Sequence, residues 1–182
     1  MDNDFEYFIM CRKGNKTYPI IKIINENNII INGTISKNPL KVDYLQNSPL
    51  SDSLDIVSKK VIVVMNTINI MGIKYIPVQL KTPENEIIND YICINAEDNK
   101  YMVMDKEKSV YEYNNKTDTY WVNKYIINIE ELNKININKR LCFNPKGING
   151  YTFYHKTVVD IIEKVNPKGL YFRRIEDNDF RI

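Results

Sequence analysis

Ser58-Lys59-Lys60-Val61, an apolar run, then Gly72-Ile73-Lys74-Tyr75 recurs as His155-Lys156-Thr157-Val158, a second run, then Gly169-Leu170-Tyr171-Phe172. Aligned without a gap, Lys59, Val61, Asn69 and Gly72 fall on the identical residues Lys156, Val158, Asn166 and Gly169. Each copy reads as a helix, a glycine turn and a strand. The glycines suit that place, because helices commonly end on a left-handed residue and glycine adopts it without a Cβ clash. In the first copy Val57, Val61, Val64, Met65 and Ile68 recur at helical steps and predict a helix from Asp52 or Ser53 to Thr67. The β-branched content of Val61–Val64 also permits a strand. In the second copy Asp160, Glu163 and Lys164 interrupt the apolar positions of Val158–Val165, and Asn166-Pro167-Lys168-Gly169 ends the helix.

Around these units the chain reads as strands. Phe5–Arg12, Tyr18–Ile24 and Ile29–Ile31 form a meander over residues 1–50, the last ended by Asn32-Gly33. Residues 36–51 carry two prolines and three serines and are expected to be an irregular connection. Between the copies, Ile73–Leu80, Ile87–Asn95, Tyr101–Met104 and Val110–Tyr113 are expected as strands, Ile129–Ile135 as a short helix or turn, and Arg140–Phe143 as a strand. The fold class that follows is α+β, mostly antiparallel sheet with two main helices, built on the twice-used helix–glycine turn–strand unit. Nothing reads as a flexible linker, so residues 1–182 are expected to form a single domain with two related halves.

Composition narrows the function. The 182 residues are 43% hydrophobic and 26% charged, as in ordinary globular domains. Twenty-five basic against 23 acidic side chains leave a net charge of +2, with no long block of one sign, so no general nucleic-acid grip is expected. The longest apolar stretch, Val61–Ile76, is broken by Asn66, Asn69, Gly72 and Lys74, and no membrane span is expected. The acidic start Met1-Asp2-Asn3-Asp4 lacks the basic opening of a signal peptide and favours the cytoplasm. Cys11, Cys93 and Cys142 are odd in number and far apart, which disfavours disulfides and a zinc site; each is expected within a strand as a small buried apolar residue. No metal site and no cofactor are expected.

Motifs of chemistry are few. There is no Gly-x-Ser-x-Gly elbow, and neither glycine-rich nucleotide fingerprint occurs. His155, the single histidine, reads either as a general base or as a side chain at a half-exposed helix start; the repeat explains the second without further partners. Asp105-Lys106-Glu107-Lys108-Ser109 reads as a carboxylate–hydroxyl pair or, more simply, as a turn tied by its own side chains. Tyr111, Tyr113, Tyr120, Trp121 and Tyr125 are interleaved with Asn114, Asn115, Lys116, Asp118 and Asn123. Large amphipathic rings beside short polar side chains suit a protein-binding edge. The alternative is a hairpin whose rings turn into the core with a polar tip at 114–118.

These pieces resemble the Imm11 (DUF1629) family of immunity proteins from bacterial polymorphic-toxin systems. The order shared is a helix with Gly72-Ile73-Lys74-Tyr75-Ile76-Pro77-Val78, the strand Tyr91-Ile92-Cys93-Ile94-Asn95, the turn Asp105 to Ser109, and a final helix with Gly169-Leu170-Tyr171-Phe172. The likeness lies within residues 52–175, its motifs from 57 onward; Gly72, Pro77, Asp105, Ser109, Gly169 and Phe172 carry it as structural positions. It implies a cytoplasmic, non-enzymatic protein that binds and neutralises a cognate toxin domain. Two other expectations stay open: a small hydrolase built on His155, and a nucleic-acid-binding module using Lys and Tyr.

Overall fold

The computed structural model describes residues 5–12, 20–26, 30–36, 42–47, 54–178 and 180. In chain order the strands and helices are β1 (Tyr7–Arg12), β2 (Ile20–Glu26), β3 (Ile31–Ile35), β4 (Tyr44–Asn47), β5 (Asp55–Ser58), α1 (Lys59–Met65), β6 (Lys74–Lys81) and β7 (Ile87–Asn95). They continue with β8 (Lys100–Tyr101), β9 (Val110–Asn114), β10 (Thr119–Lys124), α2 (Ile129–Asn133) and α3 (Ile137–Arg140). The chain closes with β11 (Cys142–Pro145), β12 (Phe153–His155), α4 (Lys156–Glu163), β13 (Leu170–Arg174) and a 3-10 turn, Ile175–Asp177.

The fold is α+β with antiparallel-rich sheets, as the residue pattern predicts. Six strands close a barrel in the order β2-β3-β6-β7-β5-β4, and five form a sheet in the order β13-β1-β12-β11-β8. The hairpin β9–β10 is a separate two-stranded sheet. One buried cluster fills the barrel around Ile21, Ile31, Leu45, Ile56 and Leu80. A second, aromatic cluster lies under the five-stranded sheet around Tyr7, Tyr125, Phe143, Phe153 and Phe180. The third joins both sheets through the helices: Val61, Ile62 and Met65 of α1 meet Val158, Val159 and Ile162 of α4. At seven and eight residues these helices are too short to hold by propensity, and packing sustains them.

The first helix is shorter than its apolar spacing predicts. Asp55–Ser58 is strand, paired with β4 on one side and β7 on the other, and the helix begins only at Lys59. Ile56 and Val57 are both fully buried, one in the barrel and one against the helices, and burial on both faces selects strand for this β-branched pair. Residues 36–51 also hold more than a loop, since β4 runs through them. Gly33 lies inside β3 instead of ending it: a Cβ there would sit 3.1 Å from Ile21 and 3.2 Å from Leu80. Arg140 ends α3, so the strand expected from that residue starts at Cys142.

Both glycines have the expected left-handed backbone, φ 76° at Gly72 and 79° at Gly169, but they stand several residues past the helices, which end at Asn66 and Lys164 in right-handed conformation. Each turn docks on the opposite half. Met71 N–H donates to Asn138 O (2.9 Å), and Asp43 N–H donates to Lys168 O (2.7 Å). Asn99, buried beneath Gly72, donates to the carbonyls of Met71, Lys139 and Cys142 and accepts from the Tyr101 hydroxyl. Pro77 lies in β6, where β3 begins its pairing only at Val78, so the missing N–H leaves no gap in that ladder. Phe172, half-buried in β13, packs edge-on against Tyr154.

Candidate functional site

The tyrosine-rich stretch folds into the β9–β10 hairpin, and alternation divides its side chains between two faces. Tyr120 opposes Tyr113, and Val122 opposes Tyr111, which sets these four on one side. Their rings form a cluster, Tyr120 lying 5.4 Å from Tyr111 and 5.0 Å from Tyr113 between centroids. This face leans on the body. Tyr120 lies over Gly147, where a Cβ would come within 2.6 Å of the ring, and its N–H donates to Gly147 O at 2.7 Å. Lys106 Nζ stands 5.1 Å from the Tyr120 centroid, a cation–π contact. Val122 is fully buried and its carbonyl accepts from Phe180 N–H.

The other face looks outward. Trp121 opposes Glu112, and Val110 follows on the same side. Trp121 is 47% and Val110 52% exposed, while Tyr113, at the edge of the inner cluster, is 50% exposed. The polar tip holds itself in shape: Asn114 Oδ1 accepts from Lys116 N–H (3.0 Å), and the Tyr113 hydroxyl donates to Asp118 (2.8 Å). The hairpin therefore has both characters foreseen from its residues, an inner face joined to the core and a wet tip, together with an outward tryptophan.

One expected contact residue belongs elsewhere. Tyr125 is 1% exposed, packed edge-on against Phe153 and near Phe180, so it is a core residue and not part of a binding edge. It lies just past β10, where the chain turns under the sheet. Tyr111 and Tyr120 are half-buried by their mutual stacking, which leaves Trp121 and Tyr113 as the accessible members of the set.

Asp105–Ser109 is a turn at the base of the hairpin. Asp105 Oδ1 accepts from the N–H groups of Glu107 and Lys108, and its carbonyl accepts from Ser109 N–H. The Ser109 hydroxyl donates to Ile126 O and accepts from Ile126 N–H, which pins the two ends of the excursion together. The Lys108 ammonium, bonded to the Asp105 carboxylate, holds that carboxyl below its usual range, helped by the same backbone donors. Both side chains are used by the turn.

His155 occupies the N-cap of α4, where Nδ1 accepts from Thr157 N–H at 3.2 Å. It is 4% exposed, buried against Tyr7 instead of half-exposed, because β12 runs directly into the helix beneath the aromatic cluster. The three cysteines lie in strands β1, β7 and β11 and form no disulfide; Cys93 and Cys142 are buried as expected, whereas Cys11 is half-buried.

A cleft of about 360 Å³ opens where β7 passes into β8, lined by Asn95, Glu97, Lys100, Asn144, Tyr151 and Thr152 among others. Its polar side chains are engaged with one another: Glu97 accepts from Lys100 and Asn144, and Thr152 donates to Asn144. Next to Thr152 lies Asp55, a buried carboxyl at a position where the apolar spacing predicts helix. It accepts from the hydroxyls of Tyr154 (2.7 Å) and Tyr44 (3.1 Å). Burial pushes it up to about 6, against the opposing pull of these hydrogen bonds. Tyr44 belongs to the barrel and Tyr154 to the sheet, so Asp55 clasps the halves together.

Among the described residues no helix is long and apolar enough to cross a membrane, and no three His, Cys, Asp or Glu side chains gather as a metal set. No protein-family model and no curated protein matches this chain.

Proposed function

We propose that this protein is an immunity protein, a stoichiometric inhibitor that binds a cognate bacterial toxin domain through the outward face of the β9–β10 hairpin. The observation that carries the reading is the hairpin itself: a small sheet apart from the barrel and the larger sheet, with Trp121 and Val110 of its outward face, and Tyr113 at the edge of the inner one, half in solvent. Exposed tryptophan and tyrosine on a supported strand pair are the side chains that most often anchor protein interfaces. The inner face, fixed by Tyr120 on Gly147, holds the outer one in place, which lowers the ordering cost of association. The motif order resembling Imm11 points to the same class of partner. The reactive candidates have structural duties: His155 caps a helix, and Asp105 and Ser109 close a turn.

Co-purification with the product of the adjacent toxin gene, alongside co-expression in cells, tests the proposal. A tight complex and survival are expected. A Trp121→Ala variant should weaken the complex by about 2 kcal/mol or more while keeping its melting temperature. Equal affinity in that variant would move the interface off the hairpin.

A further inference from the structure

The repeat extends beyond the helix and its glycine turn. In the barrel, β5 and β6 flank β7; in the sheet, β12 and β13 flank β1. The registers coincide. Val57 and Pro77 both oppose Ile92, and their repeat partners Tyr154 and Arg174 both oppose Phe8. Ser58 faces Tyr91 as His155 faces Tyr7, and Tyr75 faces Ile94 as Phe172 faces Met10. The strand Tyr91-Ile92-Cys93-Ile94-Asn95 thus corresponds to Tyr7-Phe8-Ile9-Met10-Cys11, and the two share the same order of buried and half-buried positions.

The next strands follow suit. Tyr44 opposes Val57 as Cys142 opposes Tyr154, and both outer neighbours are parallel: Ile20 beside Gln46, Lys100 beside Asn144. The cores match as well. Tyr91, Cys93, Leu45 and Ile56 of the barrel interior become Tyr7, Ile9, Phe143 and Phe153 of the aromatic cluster. Register is set residue by residue in each ladder, so agreement across five strands and both interiors is not a by-product of a shared helix turn.

Two differences stand out. The first is that β3 pairs with β6 and closes the barrel, whereas β13 stays at the edge of the five-stranded sheet. The second is a turn. In the barrel, β2 and β3 pair and are joined by a few residues. In the second half the continuation of β8 pairs with residues 126–128, through Asn128 N–H to Val103 O and Asp105 N–H to Ile126 O, both 2.8 Å. Between these paired segments lies the whole β9–β10 hairpin, its base closed by Asp105 and Ser109.

We infer that the chain is one unit used twice, that the duplicated chain is circularly permuted as a whole so that the second copy's central strand β1 precedes the first copy, and that the β9–β10 hairpin is an insertion into a turn of the second copy. The hairpin is then what the second copy adds to a repeated scaffold, and the inference rests on strand registers, independently of the toxin-binding reading.

Two full-length variants test it. A graft giving β1 the residues of β7 (Phe8→Ile, Ile9→Cys, Met10→Ile, Cys11→Asn) should melt cooperatively within about 10 °C of the parent. A scrambled counterpart (Phe8→Ile, Ile9→Asn, Met10→Ile) buries an amide in the aromatic cluster and should lose its cooperative melt. An in-register graft no more stable than the scrambled one overturns the equivalence of β1 and β7. A circular permutant joins the two ends through a flexible linker, since Phe5 and Phe180 both pack on the aromatic cluster, and is opened between Arg12 and Ile20. It should fold with the parent's circular dichroism. If it fails while a permutant with the same join opened at the hairpin tip folds, β1 does not belong to the second copy.

Discussion

At the residue scale, Asp55 sets a pH dependence with a definite sign. Its carboxyl titrates at about 6 in the fold, against about 4 in an unfolded chain. Between those values the folded protein holds more protons than the unfolded one. The stability that this group contributes is therefore fully present below pH 4 and lost as pH rises through 6. A difference of that size amounts to roughly 3 kcal/mol. Denaturant titrations from pH 4 to 8 should show Asp55→Asn gaining on the parent as pH rises. Parallel curves would mean that the carboxyl is not held in this state. Gly72 is the second decisive position: with φ at 76° and Asn99 packed where a Cβ would stand, Gly72→Val should lose about 2 to 4 kcal/mol. An unchanged melting curve would show the turn to be misassigned. Asn99→Ala should lose about 1 to 3 kcal/mol, since it strips donors from three backbone carbonyls; hydrogen exchange at residues 71–73 reads the same loss locally.

At the scale of elements, the hairpin separates support from contact. Tyr120→Ala removes the ring that lies on Gly147 and stacks with Tyr111 and Tyr113, so it should lower the melting temperature as well as any binding. Trp121→Ala should lower binding alone, and a fall in stability as large as that of Tyr120→Ala would contradict the division of faces. Much of this was legible beforehand. The glycine turns follow from a backbone need that few residues meet, and the Asp105–Ser109 turn from a carboxylate that accepts from the amides two and three residues on. The strand β5 was hidden because Val57, Val61 and Val64 keep helical spacing across a strand–helix junction; only the pairing of Asp55–Ser58 between β4 and β7 distinguishes the two. Tyr125 was grouped with its neighbours for want of any local sign that the chain dives under the sheet after β10. Asp55 was invisible as a clasp because its partners, Tyr44 and Tyr154, are distant in sequence.

At the scale of the molecule, two sheets share one helical core, and the hairpin, the short helices α2 and α3 and the buried Asp55 clasp have no counterpart among the described residues of the other copy. A repeated scaffold with an added, aromatic, outward-facing hairpin is suited to holding a partner. The mild excess of basic over acidic residues argues against strong attraction to a basic nuclease, so shape and apolar contact are expected to carry the affinity. The most direct measurement is calorimetric titration of the protein and of its Trp121→Ala variant against the purified product of the adjacent toxin gene. Tight binding at a fixed stoichiometry, weakened by about thirtyfold or more in the variant, is the expected result. Absence of heat with either protein, together with no protection on co-expression, would contradict the immunity reading.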